Sequence, residues 1–148
     1  MLAALEVFDV VVMESSDSLF HQLQQAVSQS GLRIRLHRVS GEQELMAFLQ
    51  QPKNGEGHRI RPALVVLEIL PPHTAGLEFL KIRQERPEFR RIPVVVLSDN
   101  READWVHRTY SLGVNSFIQK PADAPGYLEL IQALNRYWFG VVKLPSRN

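Results

Sequence analysis

Four polar side chains each follow a short apolar run, at a point where a buried strand would end. They are Glu14, Glu68, Ser98 and Lys120. Brought together, two carboxylates, a hydroxyl and an ammonium group would form a site able to bind ions. Along the chain, 30 residues separate Glu68 from Ser98 and 22 separate Ser98 from Lys120. Alone, each has an ordinary interpretation: a solvated strand-end acid, a capping serine or a turn lysine.

Apolar patterning predicts the elements that would position these side chains. Dense β-branched runs are typical of strands buried on both faces, and the alternation at 32–39 indicates an edge strand. The strands are predicted at 7–13, 32–39, 63–67, 92–97 and 116–118. Helical spacing predicts a helix after each strand, the third at 75–86 and the last at about 124–139. Ser40 and Gln43 form a possible capping box, and the polar stretch 51–61 predicts a loop.

Five strands alternating with five amphipathic helices predict a parallel sheet covered on both faces. Right-handed crossovers leave few topologies, and we expect a flavodoxin-like (βα)5 doubly wound α/β sheet of strand order 2-1-3-4-5. Sites on such sheets lie outside the carboxyl ends of the strands. The four polar side chains are therefore expected to converge at one edge of one sheet.

Three segments carry a family resemblance that covers nearly the whole chain. Residues 62–72 read PALVVLEILPP, 92–98 read IPVVVLS and 112–121 read LGVNSFIQKP, with Gly76 eight residues past Glu68. Together with the two spacings, they resemble the CheY-like receiver domains of two-component response regulators. We therefore interpret residues 1–148 as a single receiver-like domain with no separate output domain.

The resemblance implies a chemistry for the site. A receiver takes a phosphoryl group from a kinase histidine onto an aspartate, while a divalent cation neutralises the developing charge. By this resemblance Glu68 occupies the phosphoacceptor position, Lys120 and Ser98 bind the phosphoryl group, and Phe117 is the aromatic switch. The acidic pocket would be Glu14 and Ser15. Its metal ligands would be Glu14, Glu68 and the carbonyl of Leu70.

The chain departs from the receiver pattern at the decisive positions. Glu68 replaces the aspartate, and Ser15 replaces one acid of the pair after the first strand. Glutamate is one methylene longer, which moves the carboxylate by about 1.5 Å. A displacement of about 1 Å can reduce a positioned reaction about 100-fold. We expect ordinary phosphorylation to be lost, Mg²⁺ to bind weakly at best, and Glu68 to pair with Lys120 and favour an active-like state.

Partners follow from the chain's last residues and its aromatic side chains. Residues 134–145 resemble single-domain regulators of bacterial phytochrome kinases, so a sensor histidine kinase or a downstream signalling protein is the expected partner. Aromatic residues on the last two predicted helices favour a homodimer, with core packing as the alternative. They are Trp105, Tyr110, Tyr137, Trp138 and Phe139.

Composition argues against other classes. The chain has no cysteine and a net charge of +1, so neither a thiol site nor nucleic-acid binding is expected. No apolar run reaches the ~20 residues of a membrane span, and we expect a cytoplasmic protein. The basic residues at 81–91 are expected to form a solvated face. Absence of catalytic motifs argues against an enzyme, although a small flavodoxin-like enzyme or flavin-binding protein is the alternative.

Overall fold

The computed structural model describes residues 7–14, 17–50, 62–69, 75–99 and 102–141. Its strands are β1 (Phe8–Met13), β2 (Ile34–Val39), β3 (Leu64–Glu68), β4 (Val94–Ser98) and β5 (Ser116–Gln119). They form one parallel sheet of order β2-β1-β3-β4-β5, which confirms the predicted flavodoxin-like topology. The predicted loop at 51–61 lies outside the described residues.

Within the described part of the chain, six α-helices surround the sheet. They are α1 (Asp17–Ser30), α2 (Glu42–Gln50), α3 (Ala75–Glu85), α4 (Pro87–Arg90), α5 (Ala103–Ser111) and α6 (Ala124–Leu134), and α6 continues as a π-helix at Asn135–Val141. The short α4 was not predicted, because four residues are too few to show helical periodicity. Its signals are local: Pro87 occupies the first turn and Phe89 is buried.

Two apolar layers sandwich the sheet, because successive strand residues point to opposite faces. Every residue of β3 and β4 is buried, as expected for central strands. On one face, Val11 and Val65 pack in a cluster that includes α2 and α3 residues. On the other, Val12 and Val66 pack with α1 and α6 residues. This rigid double layer fixes the carboxyl ends of the strands. No helix within the described ranges is both long and apolar enough to cross a membrane.

Two local predictions need correction. Ser40 pairs with Glu44 rather than Gln43, since its backbone N and Oγ donate to Glu44 Oε2 at 3.2 and 2.7 Å. Arg83, expected on a solvated face, is buried at 6% exposure. Its guanidinium donates to the carbonyls of Gly113 and Ile92, both at 2.9 Å. Arg83 thus joins α3 to the segments that enter β4 and β5.

Candidate functional site

The carboxyl ends of β1, β3, β4 and β5 position the polar side chains as predicted. Glu68 and Ser98 are the last residues of β3 and β4, while Glu14 and Lys120 directly follow β1 and β5. The Lys120 backbone N donates to the Ser98 carbonyl at 3.0 Å, which extends the sheet by one residue. Glu14, Glu68 and Ser98 are exposed by only 1%, 7% and 0%. Such deep burial is unusual for acids at strand ends and requires compensating partners.

Glu68 and Lys120 form the predicted ion pair. Lys120 Nζ lies 2.6 Å from Glu68 Oε2, and this confirms the expected contact. The Lys120 side chain is 16% exposed and that of Glu68 only 1%, so the pair is more enclosed than a surface salt bridge. Burial alone would lower the pKa of Lys120, but the bond to Glu68 and its negative charge outweigh burial and raise it. Lys120 is therefore firmly held in its charged form.

Glu14 caps a helix. Its Oε2 accepts a hydrogen bond from Leu19 N at 3.0 Å and its Oε1 one from Phe20 N at 2.6 Å. These amides belong to the first turn of α1, where no intrahelical acceptor exists. Burial raises the pKa of Glu14, the two amides oppose that rise, and the nearby negative charge of Glu68 adds to it. The two carboxylates therefore share one electrostatic environment.

A cation approaches Glu14 from β2. Arg38 Nε lies 3.6 Å from Glu14 Oε1, with the Arg38 side chain 36% exposed and that of Glu14 fully buried. The positive charge of Arg38 counteracts the upward shift of the Glu14 pKa. Sequence reasoning missed Arg38, because β2 was expected only to close the edge of the sheet. The one available signal was a basic residue near the end of the strand beside β1.

Phe117 lies partly buried on β5 and packs against the apolar cluster on the α2–α3 face. Its backbone N donates to the Tyr110 hydroxyl oxygen at 3.0 Å. Because β5 is an edge strand, this contact satisfies an outward-facing amide. Sequence reasoning identified Phe117 but not the role of Tyr110, because nothing in the spacing links a tyrosine on α5 to that amide.

The described residues do not fit a Mg²⁺ site. Of the four carboxylate oxygens of Glu14 and Glu68, three already accept from amides or Lys120 Nζ. Glu68 Oε1 is buried and has no hydrogen-bond partner within the described residues. Mg²⁺ in proteins keeps several waters but still needs free carboxylate oxygens to hold it, and only one of these four is uncommitted. Within the described ranges, no three His, Cys, Asp or Glu residues are grouped to hold a metal. The predicted ligand Leu70, like Ser15, lies outside the described residues.

The aromatic residues divide between surface and core. Tyr110 and Tyr137 are 46% and 56% exposed. Trp138 is only 7% exposed and belongs to the core on the α1–α6 face, so placing it on the surface was wrong. Trp105 is partly buried against the opposite core layer. Among the described residues, the aromatic surface is therefore smaller than the sequence indicated, because Trp138 is buried and Trp105 partly so. The Phe139 side chain lies outside the described residues.

The parallel sheet and the polar cluster at its carboxyl edge define a receiver. Residues 10–134 match the family described as "Response regulator receiver domain", and the chain belongs to that family. It is 29% identical to "Response regulator Rcp1" of Synechocystis sp. over 137 residues, which cover 93% of this chain and 92% of the relative.

Solved structures agree with this assignment. The phosphorylated cyanobacterial phytochrome response regulator RcpA matches with a TM-score of 0.80 and 28% identity, covering 95% of this chain and 100% of RcpA. The Mn²⁺-bound form of Rcp1 matches with a TM-score of 0.76 and 29% identity, covering 94% and 99% of the two chains. The chain is thus a response regulator receiver, similar to phytochrome response regulators over nearly its whole length.

Proposed function

We propose that this receiver acts in two-component signalling through protein contacts and has lost ordinary phosphorylation. The Glu68–Lys120 ion pair carries the proposal. By the family resemblance, Glu68 stands where the phosphoacceptor aspartate would be and Lys120 is the lysine that would bind the phosphoryl oxygens. Here the two are bonded to each other at 2.6 Å. A carboxylate already held by the phosphate-binding lysine is a poor nucleophile, because that bond stabilises its charge in the ground state.

Phosphoryl transfer also needs its developing charge neutralised, usually by a divalent cation. In this pocket, one carboxylate oxygen of Glu68 engages Lys120 and both oxygens of Glu14 engage α1. Because these oxygens are already hydrogen-bonded, they support the proposal that the pocket does not bind the cation that phosphoryl transfer usually needs.

We further propose that the pair biases the domain toward an active-like state. Glu68 Oε2 accepts a hydrogen bond from the ammonium group of Lys120, as a phosphoryl oxygen would. Phe117 is partly buried and packs against the core. The imitation is incomplete, since a carboxylate carries one charge and a phosphoryl group about two. Moving an equilibrium from 1:99 to 99:1 requires about 5.5 kcal/mol. We expect a partial shift.

The partner we propose is a sensor histidine kinase of the bacterial phytochrome type. Its support is the similarity to Rcp1 and RcpA, which extends over 93–95% of this chain. We also propose a homodimer that uses the exposed Tyr110 on α5 and Tyr137 after α6. Because the matched relatives are response regulators, the enzyme and flavin-binding alternatives receive no support from them.

Incubation with a small-molecule phosphodonor and Mg²⁺, followed by intact-mass measurement, tests the central proposal. The wild-type chain should gain no phosphoryl mass. Glu68→Asp combined with Ser15→Asp should restore labelling, and Glu68→Asp alone should restore much less. A wild-type gain of one phosphoryl group, localised to Glu68 by fragmentation, would refute the proposed loss of phosphorylation.

A further inference from the structure

Two cations and two carboxylates meet at the carboxyl end of the sheet. Lys120 Nζ lies 2.6 Å from Glu68 Oε2, and Arg38 Nε lies 3.6 Å from Glu14 Oε1. Each buried acid therefore has its own cation, and these four side chains carry no net charge when ionised. We call this set of four residues the neutralised pocket. Asp99, which directly follows Ser98, is exposed and contributes a further negative charge near Lys120.

The strand register explains how Arg38 reaches Glu14. Arg38 pairs with Val12 across the β1–β2 ladder, and Glu14 lies two residues beyond Val12. Because side chains two apart on a strand share a face, Glu14 and Arg38 both project toward the face covered by α1. Glu14 is fully buried there while Arg38 remains 36% exposed. Within this pair, the guanidinium therefore reaches the solvent and the carboxylate does not.

The acceptors of Glu14 are also occupied. Leu19 N and Phe20 N donate to Oε2 and Oε1 at 3.0 and 2.6 Å. These bonds fix the carboxylate against the positive end of α1, which itself favours negative charge. A cation that bound Glu14 from the sheet side would have to compete with two amides and with the Arg38 guanidinium.

We propose that Arg38 is a resident counter-ion of Glu14 that keeps a divalent cation out of this receiver's pocket. The proposal goes beyond the proposed function, since it concerns cation binding and holds whether or not Glu68 accepts a phosphoryl group. A fixed unit charge and a dication about 6 Å apart repel each other enough, even in bulk water, to change affinity about tenfold. Screening by water is weaker in a buried pocket and screening by salt acts in the opposite direction, so we expect an effect of about tenfold.

Titration with Mn²⁺, followed by the electron paramagnetic resonance signal of the free ion, tests this directly. The wild-type chain should bind no Mn²⁺ in the pocket up to millimolar concentration. Arg38→Gln should bind Mn²⁺ about tenfold more tightly. Arg35→Gln is the matched control, because Arg35 is on the same strand, is 49% exposed and pairs with Asp9 at 3.3 Å instead. It should behave as the wild type does.

Arg38→Lys provides a second variant that retains the charge and should also exclude Mn²⁺. A thermal-shift series gives an independent measurement, since a cation bound only to the folded state raises the melting temperature. Only Arg38→Gln should be stabilised by added Mn²⁺. Sub-millimolar Mn²⁺ binding by the wild-type chain, or equal binding by the wild type and Arg38→Gln, would overturn the proposal. These outcomes do not depend on phosphodonor labelling, so failure here and failure of the proposed function are distinguishable.

Discussion

Glu68 and Lys120 are bonded at 2.6 Å although their strands, β3 and β5, are not neighbours in the sheet. The pair passes over the end of β4, where Ser98 is fully buried. The contact therefore joins three strands at the edge where a receiver's site lies. Because both side chains are largely enclosed, the coupling energy between the two charges should exceed the roughly 0–1 kcal/mol measured for exposed pairs.

Lys120→Met should destabilise the fold by about 3 kcal/mol, because it leaves the buried Glu68 carboxylate without a cation. Removing one partner of a buried ion pair costs about 3–5 kcal/mol, and we expect the lower value because Lys120 is still 16% exposed. Urea unfolding monitored by circular dichroism would measure the loss.

The double variant Glu68→Leu with Lys120→Met is the control for that experiment. Replacement of a buried pair by apolar residues is often nearly neutral, so the double variant should recover most of the lost stability. If the double variant were as unstable as the two single losses added together, the residues would be uncoupled and the pair energetically irrelevant.

The raised pKa of Lys120 predicts a stability change at alkaline pH. The unfolded lysine titrates near 10.5 and the folded one above it, so the folded state binds more protons in this range. The stabilisation is fully present below the unfolded pKa and is lost as pH rises through the folded pKa. The wild-type chain should lose stability relative to Lys120→Arg between about pH 9 and 11.5, because arginine stays charged there. Urea unfolding of both proteins at each pH measures the difference in their free energies of unfolding. If that difference were the same at the two pH values, the prediction would be contradicted.

The fold and the positions of the four polar site residues could be predicted from the sequence, and the reason is physical. These residues are Glu14, Glu68, Ser98 and Lys120. Central parallel strands are uniformly apolar, so a polar residue at the end of such a run marks the carboxyl edge of the sheet. The Glu68–Lys120 ion pair followed from that shared edge, although β4 separates the two strands.

Other contacts could not be predicted, because they depend on where long side chains lie in three dimensions. In the sequence, Arg83 cannot be distinguished from the other basic residues at 81–91, yet it is buried and donates to backbone carbonyls. Arg38 and Tyr110 reach acceptor or donor groups on other elements. No periodic pattern encodes these contacts. Trp138 differs, because it lies four residues past the buried Leu134 on the predicted last helix, so helical spacing could have placed it in the core.

Tyr110→Phe should loosen the outer edge of β5, because the Phe117 amide loses the hydroxyl acceptor 3.0 Å away. Water can replace that acceptor at a half-exposed site, so we expect a loss of only about 0.5–1 kcal/mol. Hydrogen exchange of the Phe117 amide, followed by NMR, should accelerate about two- to fivefold. Tyr137→Phe removes the hydroxyl of another exposed tyrosine and should leave that amide unchanged. Equal exchange rates in the wild type and Tyr110→Phe would show that the hydroxyl does not protect the edge.

The exposed tyrosines predict a homodimer at tens of micromolar. Tyr110 and Tyr137 are the large apolar side chains most exposed within the described residues, and two-fold dimers are the commonest protein assembly. Tyrosine is enriched at interfaces, because it combines a large apolar surface with a polar tip. Light scattering of the wild-type chain should give twice the mass of one chain. Tyr110→Glu combined with Tyr137→Glu should give monomers, since each dimer would then bury four added negative charges.

Gln132→Glu, at an exposed position of α6, supplies a charge control that should remain dimeric. Trp138→Ala is not a suitable variant, because this side chain is 7% exposed in the core and its loss would act on folding. Folding of the double tyrosine variant is checked by circular dichroism before its mass is interpreted. A monomeric wild-type chain at tens of micromolar would disprove the dimer, and a dimeric double variant would place the interface elsewhere on the receiver.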